Sequence, residues 1–168
     1  GCEEIPARFV RQLCQNLETN ITDELKMMRL SFKNVYTTGT YRRLVVQVKD
    51  LESIQPDFQE SIKGPPATIA FDAAGQLTQA AHGFLKKFNA IASDIKQETI
   101  GGTSYIKIEK YHQGKKTSDL CSSIISNSVL KLNLPIAMKW GNSQGPFIRP
   151  VQWVYCVYGD NVVSVNLF

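Results

Sequence analysis

The sequence is poor in the groups that most enzymes rely on. Only two of its 168 residues are histidine, at His82 and His112. No apolar run approaches the roughly 20 residues of a membrane-spanning helix. There is no G-x-x-x-x-G-K-[ST] phosphate loop and no G-x-G-x-x-G turn, which excludes P-loop, Rossmann and kinase-type nucleotide sites. The four cysteines, Cys2, Cys14, Cys121 and Cys156, are widely and irregularly spaced with no C-x-x-C and no paired histidine, so no zinc site is expected. No basic stretch leads into an apolar leader, and no repeat or low-complexity tract occurs. Residues 120–159 hold Lys131, Lys139 and Arg149 but not one carboxylate.

What is present is ordinary globular composition, 43% apolar and 20% charged, which excludes collagen-like, coiled-coil and disordered chains. The net charge of +4 is uneven: residues 1–60 are net −1 and residues 61–168 net +5. Cations without nearby acids suit a polyanion such as RNA, and they equally suit a plain solvated face. Cys14 and Cys121 fall in apolar helical stripes and Cys156 in an apolar run, the pattern of buried free thiols in a reducing compartment.

Periodicity predicts the elements. Val10, Leu13, Cys14, Leu17, Ile21, Leu25 and Met28 recur at three and four, one face of a helix over about Pro6–Met28. Pro6 suits its first turn, and Glu3 and Glu4 suit its positive end. Residues 34–37 and 42–48 read as a hairpin turning at Thr38-Gly39-Thr40. Pro56, Gly64, Pro65 and Pro66 are the strongest punctuation and mark a loop, with a soft boundary between two lobes near 54–68. Phe71–Gly75 is turn-like, and Thr78 is placed to cap a helix bearing Ala81, Phe84, Leu85 and Phe88, in which Gly83 signals a close neighbour. A second hairpin turns at Gly101-Gly102. Thr117 or Ser118 opens a helix with Cys121, Ile124, Ile125, Ser128 or Val129, and Leu132 inward, stopped by Pro135. Val151–Tyr158, apolar on both faces apart from Gln152, reads as an interior strand hairpinned to Val162–Phe168. The expected class is α+β, a mainly antiparallel sheet built from hairpins with about three helices packed on it. Both ends read as interior to a longer polypeptide.

The residues offer little covalent chemistry. His82 lies off the apolar stripe of its helix and His112 sits in a turn, so both read as surface groups; no local signature makes Cys14 or Cys121 a nucleophile. The densest segment is Met138–Trp153, which holds both tryptophans, Lys139, Arg149 and two prolines around a glycine-containing loop. It suits a packed β-loop-β corner, or a cationic aromatic surface for a polynucleotide or partner chain.

Six blocks in order, Gly1–Phe9, Arg42–Val46, Lys63-Gly64-Pro65, Ala80–Phe84, Met138–Gly141 and Phe147–Trp153, resemble the N-terminal part of the β subunit of bacterial heterotetrameric glycyl-tRNA synthetase, or the β region of a fused α–β chain. The likeness covers essentially the whole sequence. Cys2, Tyr41, Lys63 and Gln152 stand where the family commonly has Thr, Pro, Arg and His, which argues against a catalytic role for position 152. The resemblance implies that the complete enzyme joins glycine to tRNA(Gly) with ATP. It implies further that ATP and Mg belong to the α subunit, that the β chain supplies tRNA contacts, and that this region alone is inactive. It also implies a cytoplasmic location, with no membrane association. On this reading the partners are the α subunit, or a fused α region, and tRNA(Gly). The candidate phosphate contacts are Arg42, Arg43, Lys63, Lys139 and Arg149, cations beside turns or loops, although Arg42 and Arg43 equally suit internal salt bridges. The alternative is a protein-interaction scaffold that touches no RNA, using Trp140, Phe147 and Trp153.

Overall fold

The computed structural model describes residues 1–140 and 145–167, so Gly141–Gln144 of the dense segment and Phe168 lie outside the described residues. The class is α+β, and all three sheets are antiparallel. The chain forms two compact units: residues 1–56 with 114–168 make unit 1, and 57–113 make unit 2. It leaves unit 1 after Pro56 and re-enters at Gly114, a return that only a lone glycine marks in the sequence.

Unit 1 is organised on helix α1, Ala7–Met27. Leu13, Leu17, Ile21 and Leu25 recur every fourth residue and are buried, as the 3.6-residue period requires. Strands β1 (Asn34–Thr40) and β2 (Arg43–Lys49) pair from Asn34↔Lys49 to Thr40↔Arg43. The turn is therefore Tyr41-Arg42, and the expected turn at Thr38-Gly39-Thr40 is corrected. Gly39 lies inside β1 because α1 comes close: a Cβ there would stand 2.8 Å from Cys14 Sγ. Helix α4, Thr117–Leu130, lies against α1 and buries Leu120, Cys121 and Ile124. Thr117 does not cap it; its buried hydroxyl donates to Glu52 O at 2.5 Å.

The interior strand expected over Val151–Tyr158 does not form. Only β6 (Cys156–Tyr158) and β7 (Asn161–Val163) pair, while Trp153, Tyr155, Val157 and Val162 are each at least half exposed. An unbroken apolar run identifies a buried strand only where strands flank it, and among the described residues no strand flanks residues 153–155, where Trp153 N donates instead to Gly1 O at 3.3 Å.

Unit 2 is a three-stranded sheet, ordered β3 (Phe58–Pro66), β5 (Thr103–His112) and β4 (Lys96–Ile100). The loop expected around Gly64-Pro65-Pro66 is instead the end of β3. Proline is tolerated there because β3 is an edge strand and its register slips between Lys63 and Pro66. Gly64 is required by packing, since a Cβ would meet Ile106 and Phe84 at 2.9 Å. A single helical turn, α2 (Ala67–Ala70), and helix α3 (Gln79–Phe88) close a small core around Ala70, Ala81 and Ile106. Thr78 precedes α3 without capping it, because its hydroxyl donates to Ile69 O at 2.6 Å. Gly83 has nothing within 4 Å of a built Cβ, so the expected close neighbour is absent there. Among the described residues, no helix is long and apolar enough to cross a membrane.

Candidate nucleic-acid interface

Three of the six sequence blocks meet in unit 1. The extended segment Gly1–Ile5 runs between the β1–β2 turn and residues 150–153. Cys2 N donates to Arg42 O at 3.0 Å and Ile5 N to Tyr41 O at 2.6 Å on one side. On the other, Glu3 N donates to Pro150 O and Gln152 N to Gly1 O, both at 2.9 Å. Backbone pairing on both edges thus holds a short segment that carries two adjacent carboxylates.

Glu3 is the hub of this arrangement. Arg42 Nη2 donates to Glu3 Oε2 at 3.3 Å, and Gln152 Nε2 donates to Glu3 Oε1. Glu3 and Glu4 precede the helix, whose first turn holds no acid, so their expected dipole role is corrected. Sequence reasoning missed Glu3 as an anchor because its partners lie 39 and 149 residues away.

Arg149 Nε donates to Glu4 O at 3.0 Å, and the side chain lines an open depression with Glu3, Glu4, Tyr41 and the start of α1. Arg43 lies over Trp153, 5.9 Å from the ring centroid, and has no carboxylate within 4 Å among the described residues. One rim therefore presents three guanidinium groups and two carboxylates: Arg42 is partly neutralised, and Arg43 and Arg149 are held by an aromatic face and a carbonyl. Such groups keep free N–H donors for a phosphate.

Two candidates remain. Lys139 is exposed, with no ion-pair partner among the described residues. Lys63 belongs to unit 2, where its ammonium lies 3.4 Å from the Tyr105 ring centroid. The aromatic surface is corrected in part. Phe147 is 4% exposed in the unit 1 core and Trp140 packs partly buried against that core, whereas Trp153 is 50% exposed. A large aromatic flanked by prolines reads the same in sequence whether it faces the core or solvent.

The described cysteines are not set up as nucleophiles. Burial pushes the Cys2 and Cys14 thiols upward. Burial, together with the facing Cys156, pushes Cys121 up to about 11. Protonated thiols are poor nucleophiles, and all four cysteines are free. Among the described residues there is no group of three His, Cys, Asp or Glu side chains able to hold a metal ion.

Comparison with known proteins places this arrangement in a family. The sequence model described as "Glycyl-tRNA synthetase beta subunit" matches residues 1–168. Curated relatives named "Glycine--tRNA ligase beta subunit" include those of Limosilactobacillus fermentum and Bacillus subtilis, each 35% identical, and of Lactiplantibacillus plantarum, 36% identical. Each alignment spans 167 residues, 99% of this chain and 24% of the relative. The chain therefore covers about a quarter of the length of these proteins. On a match running from its first residue to its last, this chain belongs to the glycyl-tRNA synthetase β subunit family.

Proposed function

We propose that this chain is the N-terminal, non-catalytic part of a glycine–tRNA ligase β subunit, which helps position tRNA(Gly) and assemble the α–β enzyme in the cytoplasm. The observation that carries the reading is the rim formed where Gly1–Ile5 joins the β1–β2 turn to residues 150–153, with Arg42, Arg43 and Arg149 displayed together. On this reading ATP and Mg are bound by the α subunit, and ester formation occurs there. This chain supplies cations and surface rather than reacting groups.

The test is tRNA(Gly) binding by the assembled enzyme over a range of salt. Each phosphate contact contributes roughly 0.7–0.9 to the fall of log K with log salt. Replacing Lys139 and Arg149 by Gln should flatten that slope by more than 1. An unchanged slope removes both residues from the interface.

A second reading has its own support. Trp153, Tyr155, Val157 and Val162 expose a contiguous apolar stretch in unit 1, which suits a protein partner without RNA contact. Co-elution with the α subunit in high salt, combined with no tRNA retention in low salt, would favour it.

A further inference from the structure

Unit 2 contains six lysines and six carboxylates, so it is neutral overall. The two signs are not mixed evenly. Lys107 stands 3.5 Å from Glu98 and 3.6 Å from Glu109, and Lys96 also pairs with Glu109. Lys86, Lys87 and Lys110 have no carboxylate within 4 Å among the described residues. Two of them meet at the C-terminal end of α3 over one ring: the Lys87 ammonium lies 5.4 Å, and the Lys110 ammonium 5.7 Å, from the Phe88 centroid. Phe88 is in turn fixed edge-on against Phe84, with centroids 5.3 Å apart.

Lys86 and Lys87 complement the negative end of the helix, but that does not account for Lys110, which comes from β5. Glu60 lies directly opposite Lys110 in the ladder, and its carboxylate is 3.1 Å from His112 Nε2. The Lys110 side chain thus extends over the Phe88 ring rather than to the acid across from it.

We infer that Lys87 and Lys110, set around Phe88, form an RNA-backbone contact in unit 2. Two ammonium groups free of ion pairs supply charge for phosphates, and the partly buried ring gives them a fixed apolar footing. The inference rests on the tRNA-binding reading above and assigns it a second surface built from lysines, separate in sequence from the arginine rim of unit 1.

The test uses the assembled ligase and labelled tRNA(Gly). Lys87→Gln and Lys110→Gln are combined in one variant, and a second variant carries Arg42→Gln, Arg43→Gln and Arg149→Gln. Circular dichroism melting confirms that each is folded. The unit 2 variant should flatten the log K–log salt slope by about 1.5, and Lys110→Arg alone should keep the wild-type slope. A wild-type slope in the unit 2 variant, with a flattened one in the unit 1 variant, overturns this inference and leaves the tRNA-binding reading standing. Wild-type slopes in both variants overturn the two together.

Discussion

The contact between α1 and α4 contains an ion pair whose disruption should cost unequal amounts depending on which partner is changed. Glu24 is 1% exposed, yet it lies in the apolar stripe of α1. Its Oε2 accepts from Asn127 Nδ2 at 3.1 Å, and its Oε1 accepts from Lys131 Nζ. Burial alone would raise this carboxyl; the hydrogen bonds from Lys131 and Asn127, with the Lys131 charge, hold it below the usual range. The partners are unequal, because the Lys131 side chain is 59% exposed and Glu24 is not. Lys131→Met leaves a buried carboxylate with one hydrogen bond. Breaking a buried pair typically costs about 3–5 kcal/mol. The carboxyl can escape by taking up a proton, which at pH 7 costs about 3.4 kcal/mol from an ordinary pKa, so we expect a loss of about 2–3 kcal/mol. Glu24→Gln removes the charge, keeps an acceptor for Asn127 and lets Lys131 rehydrate; about 1 kcal/mol should be lost. The double variant should then be more stable than Lys131→Met alone. The pH dependence also changes sign. In the wild type the contribution is fully present above the unfolded carboxyl value and is lost as pH falls through the lowered folded value. In Lys131→Met the folded value is raised, so stability should increase as pH drops from 7 towards 5. Urea unfolding followed by tryptophan fluorescence at both pH values measures all of this. A double variant no more stable than Lys131→Met would refute the reasoning.

Glycine positions provide two contrasting tests by thermal melting. Gly83→Ala, in an exposed helix interior with open space around it, should stabilise by about 1 kcal/mol, whereas Gly39→Ala should destabilise by about 1–3 kcal/mol because its Cβ would stand 2.8 Å from Cys14 Sγ. Cys121, pushed up to about 11, should resist iodoacetamide at pH 8 in the native protein and react readily in urea, as read by mass spectrometry of the labelled peptide. Arg42→Gln should leave melting within about 1 kcal/mol of wild type, since its ion pair with Glu3 is half exposed on both sides; a larger loss would make Glu3–Arg42 a structural bond first and a display of charge second.

The elements legible in the sequence were those set by local periodicity. Leu13, Leu17, Ile21 and Leu25 announced α1, and Gly101-Gly102, both at positive φ, announced the β4–β5 turn. The misplaced features share a cause. Gly39 and Gly64 are punctuation in sequence, but in the fold each makes room for a side chain distant along the chain, Cys14 for one and Phe84 for the other. Thr78 and Thr117 look like caps, yet each hydroxyl bonds a carbonyl outside its helix. Of the candidate cations, Arg42 and Arg149 were visible as types, while their common support, the Gly1–Ile5 segment, was not, because pairing across more than a hundred residues leaves no periodic trace.

The two segments that connect the units run side by side within unit 1. Gln55 N donates to Lys115 O at 2.8 Å, and Ile54 bridges Lys116. Among the described residues, the members of one hydrophobic core all belong to unit 1 and those of the other to unit 2. Unit 2 is thereby a cassette: excising residues 57–113 and splicing the cut ends through a tight turn of about two residues would remove none of the buried residues of the unit 1 core. The same doorway would accept a foreign domain whose own termini lie close together. Gly114 is the one sill that must be kept, since any Cβ there would fall 1.6 Å from the Gln55 carbonyl oxygen.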